Sequence, residues 1–149
     1  MSSIYVTTSR KPSQLTRRLA RWLELLLAAE YENRGKKSFD EVRERARTLG
    51  LKKILFVYER NGNPDRIAVW DADWREPEIR LRSVVFPPKS RVEVPRETKV
   101  VAEDEFGEKV AKLLDLREPE GEFVEARVSS KKICFSFNGE EIGPKIFLH

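Results

Sequence analysis

Histidine and cysteine are almost absent from this 149-residue sequence, which has one of each, His149 and Cys134. Catalytic relays and zinc sites need several imidazole or thiolate groups, so the sequence predicts neither a hydrolase triad nor a Cys/His metal centre. A single cysteine also excludes an internal disulfide and favours an intracellular location. We expect Cys134 to be a packed thiol, because it alternates with Ile133 and Phe135 in a predicted strand.

Long apolar stretches are missing as well. No run approaches the roughly 20 residues that a membrane-spanning helix needs, and the richest one, residues 23–29, is interrupted by Glu24. The N-terminus has no apolar segment of the signal-peptide kind. These features predict a cytoplasmic protein that contacts no membrane.

A nucleotide-binding loop is present only in part. Gly35, Lys36, Lys37 and Ser38 resemble the end of a phosphate-binding loop, but the pattern requires glycine where Glu30 stands and a hydroxyl residue where Lys37 stands. We therefore predict no nucleotide hydrolysis. The four residues still form a basic helix start that suits an RNA phosphate; a solvated loop is the alternative.

Charge is abundant and unevenly distributed. Charged residues make up 36% of the chain and apolar residues 40%, as in a single domain with a real hydrophobic core. Residues 1–99 carry 22 basic and 14 acidic residues, whereas residues 100–149 carry 7 and 11. This asymmetry predicts one face that meets phosphates and one that avoids them, unless the charge merely drifts along the chain.

The N-terminal segment is the most informative. A strand-like run at residues 4–8 leads into a helix that Ser13 is placed to cap. Residues 9–21 include five basic side chains and no acidic one. Amides, hydroxyls, the helix dipole and side-chain charge all favour an anion there, which places nucleic acid ahead of small-molecule chemistry. The predicted apolar face of this helix consists of Leu15, Leu19, Trp22, Leu23 and Leu26, and Arg17, Arg18 and Arg21 lie on another side.

The rest of the chain alternates strand and helix patterns. Strands are predicted at 29–33, 53–59, 66–71, 79–86, 100–102, 123–128 and 133–138, with an edge strand at 146–148. Ser38 and Glu41 form a capping box, with Val42, Ala46 and Leu49 as the apolar stripe that follows, and Asp104 is placed to cap a helix through Leu114. Residues 79–86 alternate, which predicts that Ile79, Leu81, Ser83 and Val85 share one face. Pro87, Pro88 and Pro95 bracket a hinge.

Two other features have competing interpretations. Asp71, Asp73, Glu76 and Glu78 surround Trp74; such carboxylates can hold Mg²⁺, but a solvated turn is the preferred interpretation. Phe56 and Tyr58 share a strand face, where aromatic rings can stack RNA bases, but no RNP1 motif accompanies them and core packing is preferred.

Residues 7–20, TTSRKPSQLTRRLA, resemble the opening signature of the Brix family of ribosome-biogenesis proteins. Asn33 with Arg34, Gly35 and Lys36, and residues 62–64, resemble further marks of its archaeal single-domain members. Residues 105–110 and 142–145 resemble the family more weakly. The resemblance runs from about Ile4 to the C-terminus.

This resemblance implies an α/β fold with mixed sheets, one Brix domain over residues 1–149. Its two similar β-α-β halves, about 1–90 and 91–149, would each resemble the anticodon-binding domain of class II aminoacyl-tRNA synthetases. It also implies a ribosome-biogenesis factor that binds pre-ribosomal RNA and assists rRNA processing and subunit assembly, with ribosomal proteins or assembly factors as further partners. We predict no catalytic residue, metal, cofactor or small-molecule substrate. The predicted RNA-binding residues are Ser9, Arg10, Lys11, Ser13, Arg17, Arg18, Arg21, Arg34, Lys36 and Lys37.

Two alternatives stay open at this point. The acidic second half could dock basic ribosomal or assembly proteins, which would make the chain a protein-interaction module. An RNA-cleaving enzyme that uses the carboxylates of residues 71–78 with Mg²⁺ is the less favoured alternative.

Overall fold

The computed structural model describes residues 3–89 and 92–149. Within them, three helices accompany one nine-stranded mixed sheet, so the predicted mixed α/β fold is confirmed. The elements in chain order are β1 (Ile4–Thr8), α1 (Gln14–Leu26), β2 (Glu30–Tyr31), α2 (Phe39–Thr48), β3 (Lys53–Arg60), β4 (Asn63–Trp70), β5 (Trp74–Val85), β6 (Thr98–Ala102), α3 (Glu105–Leu114), β7 (Val124–Val128), β8 (Lys132–Phe137) and β9 (Glu140–Leu148).

The sheet has the strand order β2-β1-β3-β4-β5-β9-β8-β7-β6. In the N-terminal region, β1 lies parallel to β2 and β3, and β3, β4 and β5 follow as antiparallel neighbours. In the C-terminal region, β6 lies parallel to β7, and β7, β8 and β9 are antiparallel. The antiparallel pair of β5 and β9 joins the two regions into one sheet.

Each face of the sheet has its own core. Because side chains alternate along a strand, Ile4 and Val6 of β1 join the larger cluster with α1 and α3, whereas Tyr5 points to the opposite face. There it packs with Val42 and Ala46 of α2. Helices α1 and α3 therefore cover one face, and α2 covers part of the other.

The predicted helix caps are confirmed. The Ser13 side chain accepts a hydrogen bond from the Thr16 amide, and the Asp104 side chain accepts one from the Gly107 amide. Ser38 and the third residue of α2, Glu41, form both hydrogen bonds of the predicted capping box.

Two predicted core residues are exposed instead. Leu15 keeps 39% of its surface accessible and Leu49 keeps 37%. Both lie at helix ends, beyond the turns that pack against the sheet, so helical spacing alone placed them wrongly.

The last strand is central, and its prediction as an edge strand was wrong. It lies between β5 and β8, where Leu148 faces Leu81 and Ile146 faces Ile133. These apolar pairs bury β9 in the middle of the sheet, a long-range pairing that no local pattern reveals.

The alternation predicted along β5 also breaks. Ile79 and Leu81 are buried as expected, but Ser83 is exposed and Val85 is 56% exposed. The register with β9 shifts between Leu81 and Ser83. Because a bulge adds one residue to a strand, it reverses which residues face the core beyond it.

Two buried polar contacts hold the C-terminal region against the N-terminal one. Lys53 Nζ in β3 donates to Leu113 O at 2.7 Å and to Leu114 O at 2.9 Å, at the end of α3. Burial lowers the pKa of this lysine, and its charge lies where a helix dipole favours a cation. Thr98 Oγ1 of β6 donates to Leu26 O at the end of α1.

The predicted hinge around Pro87 and Pro95 includes residues 90 and 91, which lie outside the described residues. Among the residues that are described, no helix is both long and apolar enough to cross a bilayer.

Candidate nucleic-acid interface

The candidate interface begins where β1 ends and α1 starts. Lys11 adopts a positive φ of 50° in the connecting turn, and Ser13 takes an extended conformation just before the helix. The Ser13 hydroxyl also donates to Gly62 O in the β3–β4 turn at 2.7 Å. The helix start is thus bound to the hairpin beside it, which fixes the direction of the first turn.

A carboxylate from β3 occupies this helix start. Glu59 Oε2 accepts hydrogen bonds from the Ser13 amide at 3.0 Å and from the Thr16 hydroxyl at 2.6 Å. Burial favours the protonated form of Glu59, but these hydrogen bonds prevail and lower its pKa. The prediction that the amides at this helix start favour an external anion is therefore wrong for two of them. The Ser13 amide donates to Glu59 and the Thr16 amide donates to the Ser13 hydroxyl, so both are already bound within the protein.

The second part of the interface is the loop from Asn33 to Ser38. Arg34 in this loop is buried, with 8% of its surface accessible. Its Nη1 donates to Thr8 O at 2.9 Å and its Nε to Lys37 O at 2.8 Å. Burial lowers the pKa of Arg34. The buried guanidinium of Arg34 thus fixes the loop against the end of β1.

Arg10 joins the two loops from the solvent side. Its Nε donates to Lys37 O and its Nη2 to Lys36 O, both at 3.3 Å. The exposed side chains of Arg10, Lys11 and Lys36 and the half-buried Lys37 are thereby held at one end of the sheet. This places together residues that are 26 positions apart in the sequence.

The three arginines of α1 do not form one group. Arg17 and Arg21, one turn apart, face Tyr31; burial raises the pKa of this tyrosine, and their positive charges oppose that rise. Arg18 turns the other way: its guanidinium lies 4.5 Å from the centre of the Phe86 ring and donates to Pro87 O at 3.1 Å.

Of the remaining predicted residues, Ser13 is engaged in capping, and Ser9 Oγ is shielded from solvent without a hydrogen-bond partner among the described residues. Sequence reasoning missed Tyr31 and Asn33, whose side chains form a 2.6 Å hydrogen bond beside the arginines. The signal available in the sequence was the tyrosine that follows the arginine-rich helix α1.

The exposed cations at this end share a second property. We call six residues the basic surface: Arg10, Lys11, Arg17, Arg21, Lys36 and Lys37. In the part of the chain that the structure describes, none of them forms an ion pair with a carboxylate. Nearby, Arg43 and Arg47 of α2 pair with Asp40 and Glu44. Cations that form no direct ion pair within the protein are available to an external anion.

Two of the acidic residues near Trp74 lie beside basic side chains instead of forming a cluster of metal ligands. Asp71 lies 3.8 Å from Lys52, and Glu78 lies 3.4 Å from Arg66. Across residues 3–89 and 92–149, no group of three or more potential ligands could hold a metal ion.

No protein-family model matches the chain. A probable Brix domain-containing ribosomal biogenesis protein of Saccharolobus solfataricus is 45% identical over 71 residues, which cover 47% of this chain and 42% of that protein. Over this aligned part, the chain is similar to a Brix-domain protein. Three further archaeal proteins with the same description are 32% to 44% identical over their aligned parts.

Two solved structures share the fold of nearly the whole chain. A probable ribosomal biogenesis protein of Aeropyrum pernix has a TM-score of 0.79 at 23% identity, covering 99% of this chain and 96% of that one. Mil, an archaeal Imp4-like protein, has a TM-score of 0.77 at 27% identity, covering 97% and 96%. The chain aligns with about half of the length of its curated Brix relatives or less. The fold that it shares with the Aeropyrum pernix protein covers nearly the whole of both chains.

Proposed function

We propose that this chain is a ribosome-biogenesis factor that binds precursor ribosomal RNA through the basic surface and assists rRNA processing and subunit assembly. The observation that carries the proposal is a set of six neighbouring cations without carboxylate partners in the described structure. The names of the Brix-domain and Imp4-like relatives support the biological role. On this proposal the chain acts in the cytoplasm, as a binding factor without a catalytic centre.

Physical chemistry supports phosphate as the group bound. Lysine and arginine side chains displace counterions from an RNA backbone, which produces affinity that falls steeply with salt. Such contacts position RNA without reading its sequence. Arg34 has a positioning role in this proposal, because it fixes the loop that carries Lys36 and Lys37.

The direct test replaces Arg17, Arg21 and Lys36 with alanine and measures binding to a labelled precursor rRNA fragment over a range of salt concentrations. Each lost phosphate contact lowers the log–log salt slope by about 0.7 to 0.9, so the triple variant loses about two units. The control is Lys109→Ala with Lys112→Ala, which removes two exposed lysines of α3, one charge fewer than the triple variant. Unchanged affinity and slope in the triple variant would reject the site.

The cellular test is crosslinking of the protein to RNA in its native cells, followed by sequencing of the bound fragments. Enrichment of a discrete precursor segment is expected. Scattered or tRNA-dominated crosslinks would make the basic surface a general RNA binder and would leave the assembly role unsupported.

A second candidate function rests on the C-terminal region. Exposed Glu105 and Glu108 lie in the first turn of α3, and Glu103 precedes it. This acidic face would suit a basic ribosomal protein or assembly factor, with or without RNA on the other side. A partner retained after RNase treatment and lost on Glu105→Lys with Glu108→Lys would favour this function.

We also propose that residues 1–149 form a single Brix domain built from two similar halves, about 1–90 and 91–149, each resembling the anticodon-binding domain of class II aminoacyl-tRNA synthetases. The pairing patterns support this proposal: a parallel strand pair is followed by two antiparallel neighbours in both regions.

A further inference from the structure

One face of the sheet is open beyond α2. Ile79 and Leu81 of β5, and Ile146 and Leu148 of β9, belong to the core under α1 and α3. The residues between them point to the opposite face, where Arg80 and Arg82 are exposed. Within the described residues, the core cluster under α2 includes no residue of β9, and β5 reaches it only through Trp74 at the start of the strand, whose ring packs against Phe39 and Phe56.

Three arginines come together on this open face. Arg66 of β4 is paired with Arg80 of β5, which puts their Cα atoms about 5 Å apart. Arg82 follows two residues along β5, about 7 Å further. It lies at the β5 bulge, and its guanidinium is 5.8 Å from the centre of the Phe147 ring on β9. Arg82 is two residues from Arg80 and precedes the reversal seen at Ser83, so both side chains lie on the same face.

Positive charge exceeds negative charge around these arginines. Glu78 is the carboxylate between them, 3.4 Å from Arg66 and 3.7 Å from Arg80. Arg82 forms no ion pair in the described part of the chain. Two further carboxylates, Glu59 and Asp65, line the same cleft as these arginines, and Glu59 is engaged by Ser13 and Thr16 at the start of α1. Arg82 therefore keeps an unpaired positive charge that can attract an external anion.

The arginines line a concave surface. A cleft of about 630 Å³ lies between the β3–β4 hairpin and β5, and we call it the arginine cleft. Four arginines and three carboxylates line its walls: Arg60, Arg66, Arg80, Arg82, Glu59, Asp65 and Glu78. Tyr58 lies beneath Arg66, whose guanidinium is 4.5 Å from the ring centre. Asn61 of the hairpin turn also lines the cleft.

The cleft adjoins the basic surface. The turn that carries Asn61 and Gly62 is bound to the start of α1 through the Ser13–Gly62 hydrogen bond. Arg10 and Lys11 of the basic surface shortly precede Ser13 in the chain, so they lie near the same turn. A strand of RNA that crosses the hairpin would meet cations on both sides.

We propose that the arginine cleft is a second RNA-contact surface, which takes the phosphate backbone of the same RNA beyond the basic surface. Guanidinium groups suit this task because their planar donor sets match phosphate oxygens. The inference rests on the proposed function, because the cleft would bind a further part of the RNA that the basic surface binds.

The test uses Arg80→Gln with Arg82→Gln in the full chain and a fluorescently labelled single-stranded RNA of mixed sequence as the probe. At about 0.1 M salt we expect roughly tenfold weaker binding and a salt slope smaller by about 1.4, the value for two lost contacts to a single strand. The matched control is Lys109→Gln with Lys112→Gln, which removes the same charge from α3. Arg80→Lys with Arg82→Lys retains the charge and should recover most of the affinity.

The outcomes separate this inference from the proposed function. Loss of binding in the Arg17, Arg21 and Lys36 variant, but none in the folded Arg80 and Arg82 variant, would overturn the cleft and leave the function standing. No RNA binding by the unmodified protein would overturn both. Unchanged RNA affinity together with loss of a protein partner would reassign the face to protein. Thermal unfolding of each variant establishes that it is folded.

Discussion

The starts of α1 and α3 have the same construction and opposite charge. Each helix follows a strand that pairs in parallel with another strand, and each has a side chain that caps its third amide. The first turn of α3 carries Glu105 and Glu108, which complement the helix dipole. The first turn of α1 carries no acidic residue, and arginines follow it.

The difference shows how α1 can present cations at an end where the dipole disfavours them. Its negative charge comes from Glu59 of the neighbouring strand, through hydrogen bonds to Ser13 and Thr16. The first turn of the helix itself then carries no carboxylate. The acidic residues that complement the dipole therefore belong to α3 itself but to a neighbouring strand in the case of α1.

The largest effect that we predict concerns the third residue of each helix, Gly107 in α3 and Thr16 in α1. A Cβ at Gly107 would lie 2.2 Å from Val128 O and 3.0 Å from Ala102 Cα, both backbone atoms. Gly107→Ala should therefore lower the free energy of unfolding by about 2–3 kcal/mol, as overpacking does. Urea unfolding measures this.

The counterpart in α1 and a neutral control complete this experiment. Thr16→Val retains the side-chain shape but removes the hydroxyl bound to Glu59, at a cost of about 1–2 kcal/mol. Gly121→Ala meets open space and should stay within about 0.5 kcal/mol of wild type. If Gly107→Ala were as stable as Gly121→Ala, the close approach of α3 to β6 and β7 would be refuted.

An intermediate effect is predicted for the two capping carboxylates in acid. The Thr16 and Ser13 hydrogen bonds lower the pKa of Glu59 against the effect of burial, and amide hydrogen bonds from Ser130 and Gly107 lower that of Asp104. A carboxylate with a depressed folded-state pKa stabilises the protein above its unfolded-state pKa, and this stabilisation is lost as pH falls through the folded-state value. Between about pH 5 and pH 3, Tm should fall less in Glu59→Gln and in Asp104→Asn than in wild type. Parallel Tm curves would contradict this prediction.

The smallest effect is predicted for an exchange of charge at the first helical residues, Gln14 of α1 and Glu105 of α3. Gln14→Glu should stabilise the protein and Glu105→Gln should destabilise it, each by about 0.3–1 kcal/mol. Gln14→Glu should also weaken RNA binding, because it adds a negative charge beside Lys11 and Arg17. If Gln14→Glu strengthened RNA binding, α1 would not be the phosphate-facing helix.

Local patterns were sufficient for most of the elements. The caps at Ser13, Ser38 and Asp104 depend on residues close together in sequence, and all three predictions are confirmed. The burial of Leu15 and the alternation beyond Leu81 were predicted wrongly. Helix ends and bulges depend on what lies opposite in the fold, which periodicity does not record.

The candidate site was predictable only in outline. The basic character of residues 9–21 and 34–37 is visible in the sequence, and RNA contact at these positions stays a prediction. The burial of Arg34, the rotation of Arg18 towards Phe86, and the occupation of the α1 start by Glu59 each depend on a partner at least 26 residues away.

By itself, therefore, the sequence determined the strands, the helix starts, the basic N-terminal segment and the resemblance to Brix proteins, because these depend on neighbouring residues. The tertiary structure decided which cations remain without carboxylates and which arginines meet across strands. It also placed β9 at the centre of the sheet. The physical reason is that ion pairing and strand register join residues far apart in the chain, and their energies depend on distances that only the folded protein sets.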